Sequence, residues 1–140
     1  MPLDLRGVCP LLAVFDMPRA IAFYRDILGF EVVASAPSNP KGHPDGFGWA
    51  WLRHGTSEVM LNTLHDPDDP RPPQPDASRV DAHADTIIYL GAPEVDAVYR
   101  HLQAAGVAAE PPTNAPYGMR QLYTRDPDGF GICFQWPVAG

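Results

Sequence analysis

Two stretches decide the fold: MPRAIAFYRDILGF at residues 17–30 and EVDAVYRHLQAAGV at residues 94–107. Both read as amphipathic helices, and Tyr24-Arg25 in the first matches Tyr99-Arg100 in the second. In the first, Pro18 suits the opening helical turn, where a missing N–H costs nothing. Ala20, Ile21, Phe23, Tyr24, Ile27 and Leu28 make an apolar stripe at helical spacing, and Gly29 stands where a helix stops. In the second, which starts at Pro93, Val95, Val98, Tyr99 and Leu102 form the stripe and Gly106 ends it.

The flanks repeat as well. GVCPLLAVFD (7–16) reads as a buried strand before the first helix, and FEVVA (30–34) as the strand after it. FGWAWLRHG (47–55) and TSEVMLNTL (56–64) predict a hairpin around His54-Gly55. In the second half, TIIYL (86–90) precedes the helix and residues 107–109 begin a short strand. A Pro-rich loop over 110–118 follows, then MRQLYTR and FGICFQW around the turn Asp126-Pro127-Asp128-Gly129. That turn is a strong signal, because Pro presets φ and Gly supplies a positive one. The result is a βαβββ unit over 7–64 and a second over 86–137. The expected class is α+β. The paired units should form a curved, barrel-like mixed sheet with helices outside and a concave cleft, since one helix per unit covers only one sheet face.

Two segments interrupt the pattern. Residues 35–46 hold three Pro and two Gly and read as a loop. Residues 65–85, with five Pro and six Asp, predict an extended surface connection. The whole chain has 140 residues, one domain's worth. No apolar run is long enough for a membrane span, and MPLDLRGV has neither the basic start nor the apolar core of a secretion signal. Ten Lys and Arg, of which Lys41 alone is lysine, stand against seventeen Asp and Glu. A net charge of −7 argues against nucleic-acid partners and favours neutral or cationic small ligands. Cys9 and Cys133 read as free thiols of a cytoplasmic protein.

The ordered set of motifs resembles the vicinal-oxygen-chelate superfamily, the glyoxalase, bleomycin-resistance and extradiol-dioxygenase group. It consists of R-x-I-x-F-Y-R-D-x-L-G-F after a strand ending in Asp16, Val95–Gly106 as V-D-A-x-Y-x-x-L-x-A-x-G, Tyr117–Arg120 as Y-G-M-R, and Asp126–Phe134 as D-P-D-G-x-x-I-x-F. The resemblance implies a homodimer with two clefts. In the group's enzymes each cleft holds a divalent metal on His, Glu or Gln and acts as a Lewis acid; in the bleomycin-resistance branch the cleft sequesters a drug without metal. Carried over one by one, the four ligand positions fall on Cys9, Met60, Ile87 (or Thr86) and Cys133. None supplies the carboxylate or imidazole that such a metal wants. The expectation is therefore no cofactor, and no catalytic residue. His83 and Glu58 are the candidates if a metal enzyme, a lyase, isomerase or dioxygenase with displaced ligands, is the right alternative.

Strand alternation supplies the rest of the expected cleft. If Cys133 faces in, so does Gln135; Asn62 accompanies Met60, and Trp49 and Trp51 share a face. Tyr117 and Arg120 are expected at the mouth of the last hairpin, and Trp136, of opposite parity to Cys133, in the core under a helix. The predicted function is metal-free binding of an apolar or aromatic ligand, with a cationic one compatible with the acidic surface. A dimer with a vestigial cleft is the third reading.

Overall fold

The structure is a computed structural model that describes residues 2–36, 43–65 and 70–139. The chain divides into two compact units, Met1–Arg71 and Pro72–Gly140.

In the first unit, β1 (Leu11–Val14) leads into α1 (Met17–Ile21), which continues as a π-helical turn over Ala22–Ile27. Asp16 caps α1 by accepting from the Arg19 backbone N–H at 3.3 Å, with Pro18 in the first turn. This satisfies one of the N–H groups that a helix start leaves open. Gly29 takes φ +87°, a conformation costly for any residue with a Cβ, and turns the chain into β2 (Glu31–Ala36). β3 (Trp49–His54) and β4 (Ser57–Thr63) form the expected hairpin. The sheet order is β1-β4-β3-β2, with β1 parallel to β4 and the other pairs antiparallel. Leu12, Val14, Ala50, Leu52, Val59 and Leu61 are buried, as are Met17, Ala20, Ile21 and Tyr24 of the helical segment that packs on the sheet.

The second unit repeats this topology. β5 (Ile87–Gly91), α3 (Val95–Ala104), β6 (Thr113–Asn114), β7 (Met119–Arg125) and β8 (Gly131–Pro137) give the order β5-β8-β7-β6, with β5 parallel to β8. α3 packs against β7 and β8, burying Val95 and Leu102 together with Leu122, Ile132 and Phe134. The α+β class and the two βαβββ repeats are thus as expected, and the strands pair as two separate four-stranded sheets.

Two expectations need correction. The connection over 65–85 is not extended throughout, since α2 (Ala77–Ala82) and a 3₁₀ turn (His83–Asp85) occupy its end. The cause is partly local: Asp76 accepts from the Ser78 N–H at 3.0 Å and caps α2. It is also tertiary. Arg125 donates to Val80 O at 2.8 Å and to Gly129 O at 3.0 Å, His83 Nδ1 lies 2.7 Å from Asp128 O, and the His83 ring stacks on Phe130. The segment is seated on the β7–β8 turn. That turn is tied by Asp126, whose Oδ1 accepts from the N–H groups of Asp128 and Phe130 at 2.9 and 3.0 Å. The second correction concerns the short strand expected at 107–109. Only Ala109 bridges to Thr124; the strand proper, β6, lies at Thr113–Asn114, inside the predicted loop. The prolines at 111 and 112 have no N–H for the ladder and separate the two contacts.

Candidate functional site

Each sheet packs one face against α1 or α3; among the described residues the opposite face has no such helix, α2 and its 3₁₀ turn reaching the second sheet only at the β7–β8 turn. On the first sheet the helix-free face follows from register. Trp49 pairs with Asn62, Trp51 with Met60 and Arg53 with Glu58, while Leu11 of β1 lies beside Met60. The structure therefore brings Trp49, Trp51, Met60 and Asn62 together. The parallel register carries Cys9, two residues before Leu11, to Glu58. Partial burial and then the Glu58 charge push the Cys9 thiol above its ordinary pKa. Glu58 is paired with Arg53, whose Nη2 is 3.0 Å from Glu58 Oε1, and the Arg53 guanidinium sits 5.1 Å from the Trp51 ring centre. Trp51 Nε1 is buried and has no hydrogen-bond partner among the described residues. An orphaned donor of this kind costs about 1–3 kcal/mol.

On the second sheet, Cys133 of β8 is flanked by Tyr89 of β5 and Tyr123 of β7, and Gln135 by Gln121. Cys133 is fully buried; Ile87, Tyr89 and Tyr123 remain substantially exposed. A polar network crosses this face. The hydroxyls of Tyr89 and Tyr123 are 3.1 Å apart, and Tyr123 donates to Gln121 Oε1 at 3.4 Å. Gln121 Nε2 donates to Tyr117 Oη at 2.8 Å and to Gln135 Oε1 at 2.9 Å. Burial raises the Cys133 pKa, against the hydrogen bonds from Tyr123 and the Leu122 backbone. The Tyr123 phenol is raised too, first by its bond to Tyr89, then by burial and by Cys133. Both groups are held neutral, so neither is an activated nucleophile or base. Beside Tyr123, an open depression of about 490 Å³ is bounded by Val107–Glu110, Thr124 and Arg125.

Arg120, expected at the mouth of the last hairpin, and Trp136, expected in the core, lie elsewhere. Arg120 pairs with Trp136, on the opposite face of β7 from Tyr123. It makes a bidentate ion pair with Asp96 of α3, at 2.9 and 2.7 Å, and donates to Asn114 Oδ1 at 2.9 Å. Trp136 does have the predicted parity, but it is 44% exposed rather than core. Tyr89, Tyr123 and Gln121 were missed. Alternation in MRQLYTR places Gln121 and Tyr123 together, yet only the pairing with β8 puts them beside Cys133 and Gln135.

The four positions to which the resemblance assigned metal ligands, Cys9, Met60, Ile87 and Cys133, carry two thiols, a thioether and an aliphatic side chain. Cys133 is buried under Tyr123 with its thiol kept protonated, and Ile87 has no donor atom. Among the described residues, no group of three or more His, Cys, Asp or Glu comes together as metal ligands would. His83, the candidate displaced ligand, is engaged by Asp128 O and Phe130. The donor set does not fit an oxygen-chelating divalent metal.

The chain matches, over residues 8–134, the model of the Glyoxalase/Bleomycin resistance protein/Dioxygenase superfamily. No curated protein matches it. Among solved structures, TioX from Micromonospora sp. ML1 is 21% identical with a TM-score of 0.72, over 95% of this chain and 99% of that one. A glyoxalase/bleomycin resistance protein from Streptomyces sp. CB03234 is 29% identical with a TM-score of 0.59, over 91% and 97%. A glyoxalase/bleomycin resistance protein/dioxygenase from Nocardioides is 17% identical with a TM-score of 0.67, over 99% and 88%. Among the described residues, no helix is long and apolar enough to cross a membrane.

Proposed function

Since the chain belongs to the Glyoxalase/Bleomycin resistance protein/Dioxygenase superfamily, we propose that it is a binding protein of the bleomycin-resistance type. It sequesters an apolar or aromatic small molecule, breaks no bond and uses no metal. The observation that carries this is the helix-free face of the first sheet. Trp49, Trp51 and Met60 lie side by side there, where no helix of the unit covers them. Indole rings and a thioether give large, polarisable contact area at low entropic cost. In the second unit, taken by itself, the corresponding sheet face carries Tyr89 and Tyr123. A second copy of the chain completes the cleft, as in the homodimers of this superfamily. The net charge of −7 keeps cationic aromatics among the guests.

The test is a titration with planar aromatic compounds followed by tryptophan emission, together with the metal content of the protein purified without chelator. Saturable quenching that is lost in Trp51→Ala and unaffected by a chelator supports the reading. About one equivalent of divalent metal per chain, with substrate turnover that depends on it, overturns it.

A further inference from the structure

We propose that the helix-free face of the second sheet holds the carbonyl oxygen of a planar aromatic ligand, with Tyr117 Oη and Gln135 Nε2 as its donors. The proposal rests on the binding-protein reading above and gives the ligand of the second unit's sheet face its chemical class.

Gln121 sets the direction of the surrounding hydrogen bonds. It is only 6% exposed, and its amide nitrogen has two hydrogens. One goes to Tyr117 Oη and the other to Gln135 Oε1. Its carbonyl oxygen accepts from the Tyr123 hydroxyl. The Tyr123 hydroxyl also lies 3.1 Å from that of Tyr89. Whichever way the phenols share their hydrogens, the Gln121 amide ends at two oxygens that accept. The Tyr117 hydrogen and the two hydrogens of the Gln135 amide are left unspent, and among the described residues no protein acceptor takes them. Both residues bond the same nitrogen, so the unspent donors are neighbours. Tyr117 is exposed and Gln135 half-buried, so both are within reach of a ligand.

Two neutral donors on neighbouring side chains specify a neutral acceptor. A ligand ammonium would set donor against donor. A carboxylate would meet a chain of net charge −7, and Arg125 on this face is turned away to Gly129 O and Val80 O at the β7–β8 turn. A carbonyl oxygen has two lone pairs and no hydrogen, one for each donor. The aromatic part of the assignment comes from the neighbours. Tyr89 and Tyr123 stand edge to face, 6.4 Å apart, next to exposed Ile87. Tyr123 also borders the depression of about 490 Å³, which gives a fused ring system room.

A matched pair of probes tests this: 9-fluorenone and fluorene, which differ by C=O against CH2, titrated calorimetrically into the full chain. Fluorenone is expected to bind about tenfold more tightly, the worth of one to two net hydrogen bonds. Tyr117→Phe keeps the ring and loses the donor. Gln135→Glu keeps the oxygen that Gln121 needs and loses the amide hydrogens. Each variant should narrow the preference for fluorenone over fluorene. Should one variant melt early, the other and the wild-type pair still decide. Equal binding of both probes to the wild type overturns the carbonyl subsite and leaves aromatic binding intact. A preference that survives both variants overturns the assignment to these donors. Failure of both probes to bind overturns the binding reading itself.

Discussion

Gly129→Ala is the substitution whose cost the structure defines best, because a comparison at Gly118 separates its two components. Both glycines lie in the second unit at positive φ, +89° and +84°. At Gly118 an added Cβ meets nothing within 4 Å. Gly118→Ala should therefore cost only the left-handed backbone, about 1–2 kcal/mol. At Gly129 the same Cβ would lie 2.2 Å from Val80 O, 2.9 Å from Val80 Cγ1 and 2.9 Å from Arg125 Nη2. A backbone oxygen cannot rotate away, so the segment carrying Val80 must lift off the turn. Lifting removes the bond from Arg125 to Val80 O and the one between His83 and Asp128 O, each worth about 1 kcal/mol net. Gly129→Ala should thus lose about 3–4 kcal/mol in all. Urea unfolding followed by far-ultraviolet circular dichroism measures both variants, and limited proteolysis should cut residues 72–86 faster in Gly129→Ala alone. Equal losses for the two variants would refute the seating of α2 on the β7–β8 turn.

Two further outcomes follow from the sites. Trp51→Phe removes the orphaned indole N–H while keeping an aromatic ring, so stability should stay level or rise by about 1 kcal/mol; a loss of more than about 1 kcal/mol in a thermal or urea melt would mean that the N–H is in fact satisfied. Glu58→Gln should speed modification of Cys9 by a thiol reagent at pH 8, because the charge that helps to hold the thiol protonated is gone. Cys133, buried and also raised, should react only on unfolding; its rapid labelling in the folded protein would contradict its placement under Tyr123.

Much of this protein is written in short-range pattern. The helices at 17–27 and 95–104, their glycine stops, the hairpin at Gly55 and the tied turn at 126–129 depend on residues within a few positions of one another. Alternation also put Trp49 with Trp51 and Met60 with Asn62, and the hairpin register then joins the two pairs on one face. The tertiary structure decided what distant segments do to each other. Tyr89 meets Cys133 through a parallel pairing of strands over forty residues apart, which no local spacing announces. Arg120 belongs to Asp96 because α3 lies over that face of β7 and places a carboxylate where the guanidinium can take it in two bonds. The stretch at 77–85 has a weak apolar pattern and many breakers before it. It folds as a helix because Asp76 caps it and because Arg125 and His83 fasten it to a turn about fifty residues later in the chain. Local patterns act through torsional preference and neighbour spacing. These remaining contacts arise only once chain entropy has been overcome and remote groups are brought within hydrogen-bond distance.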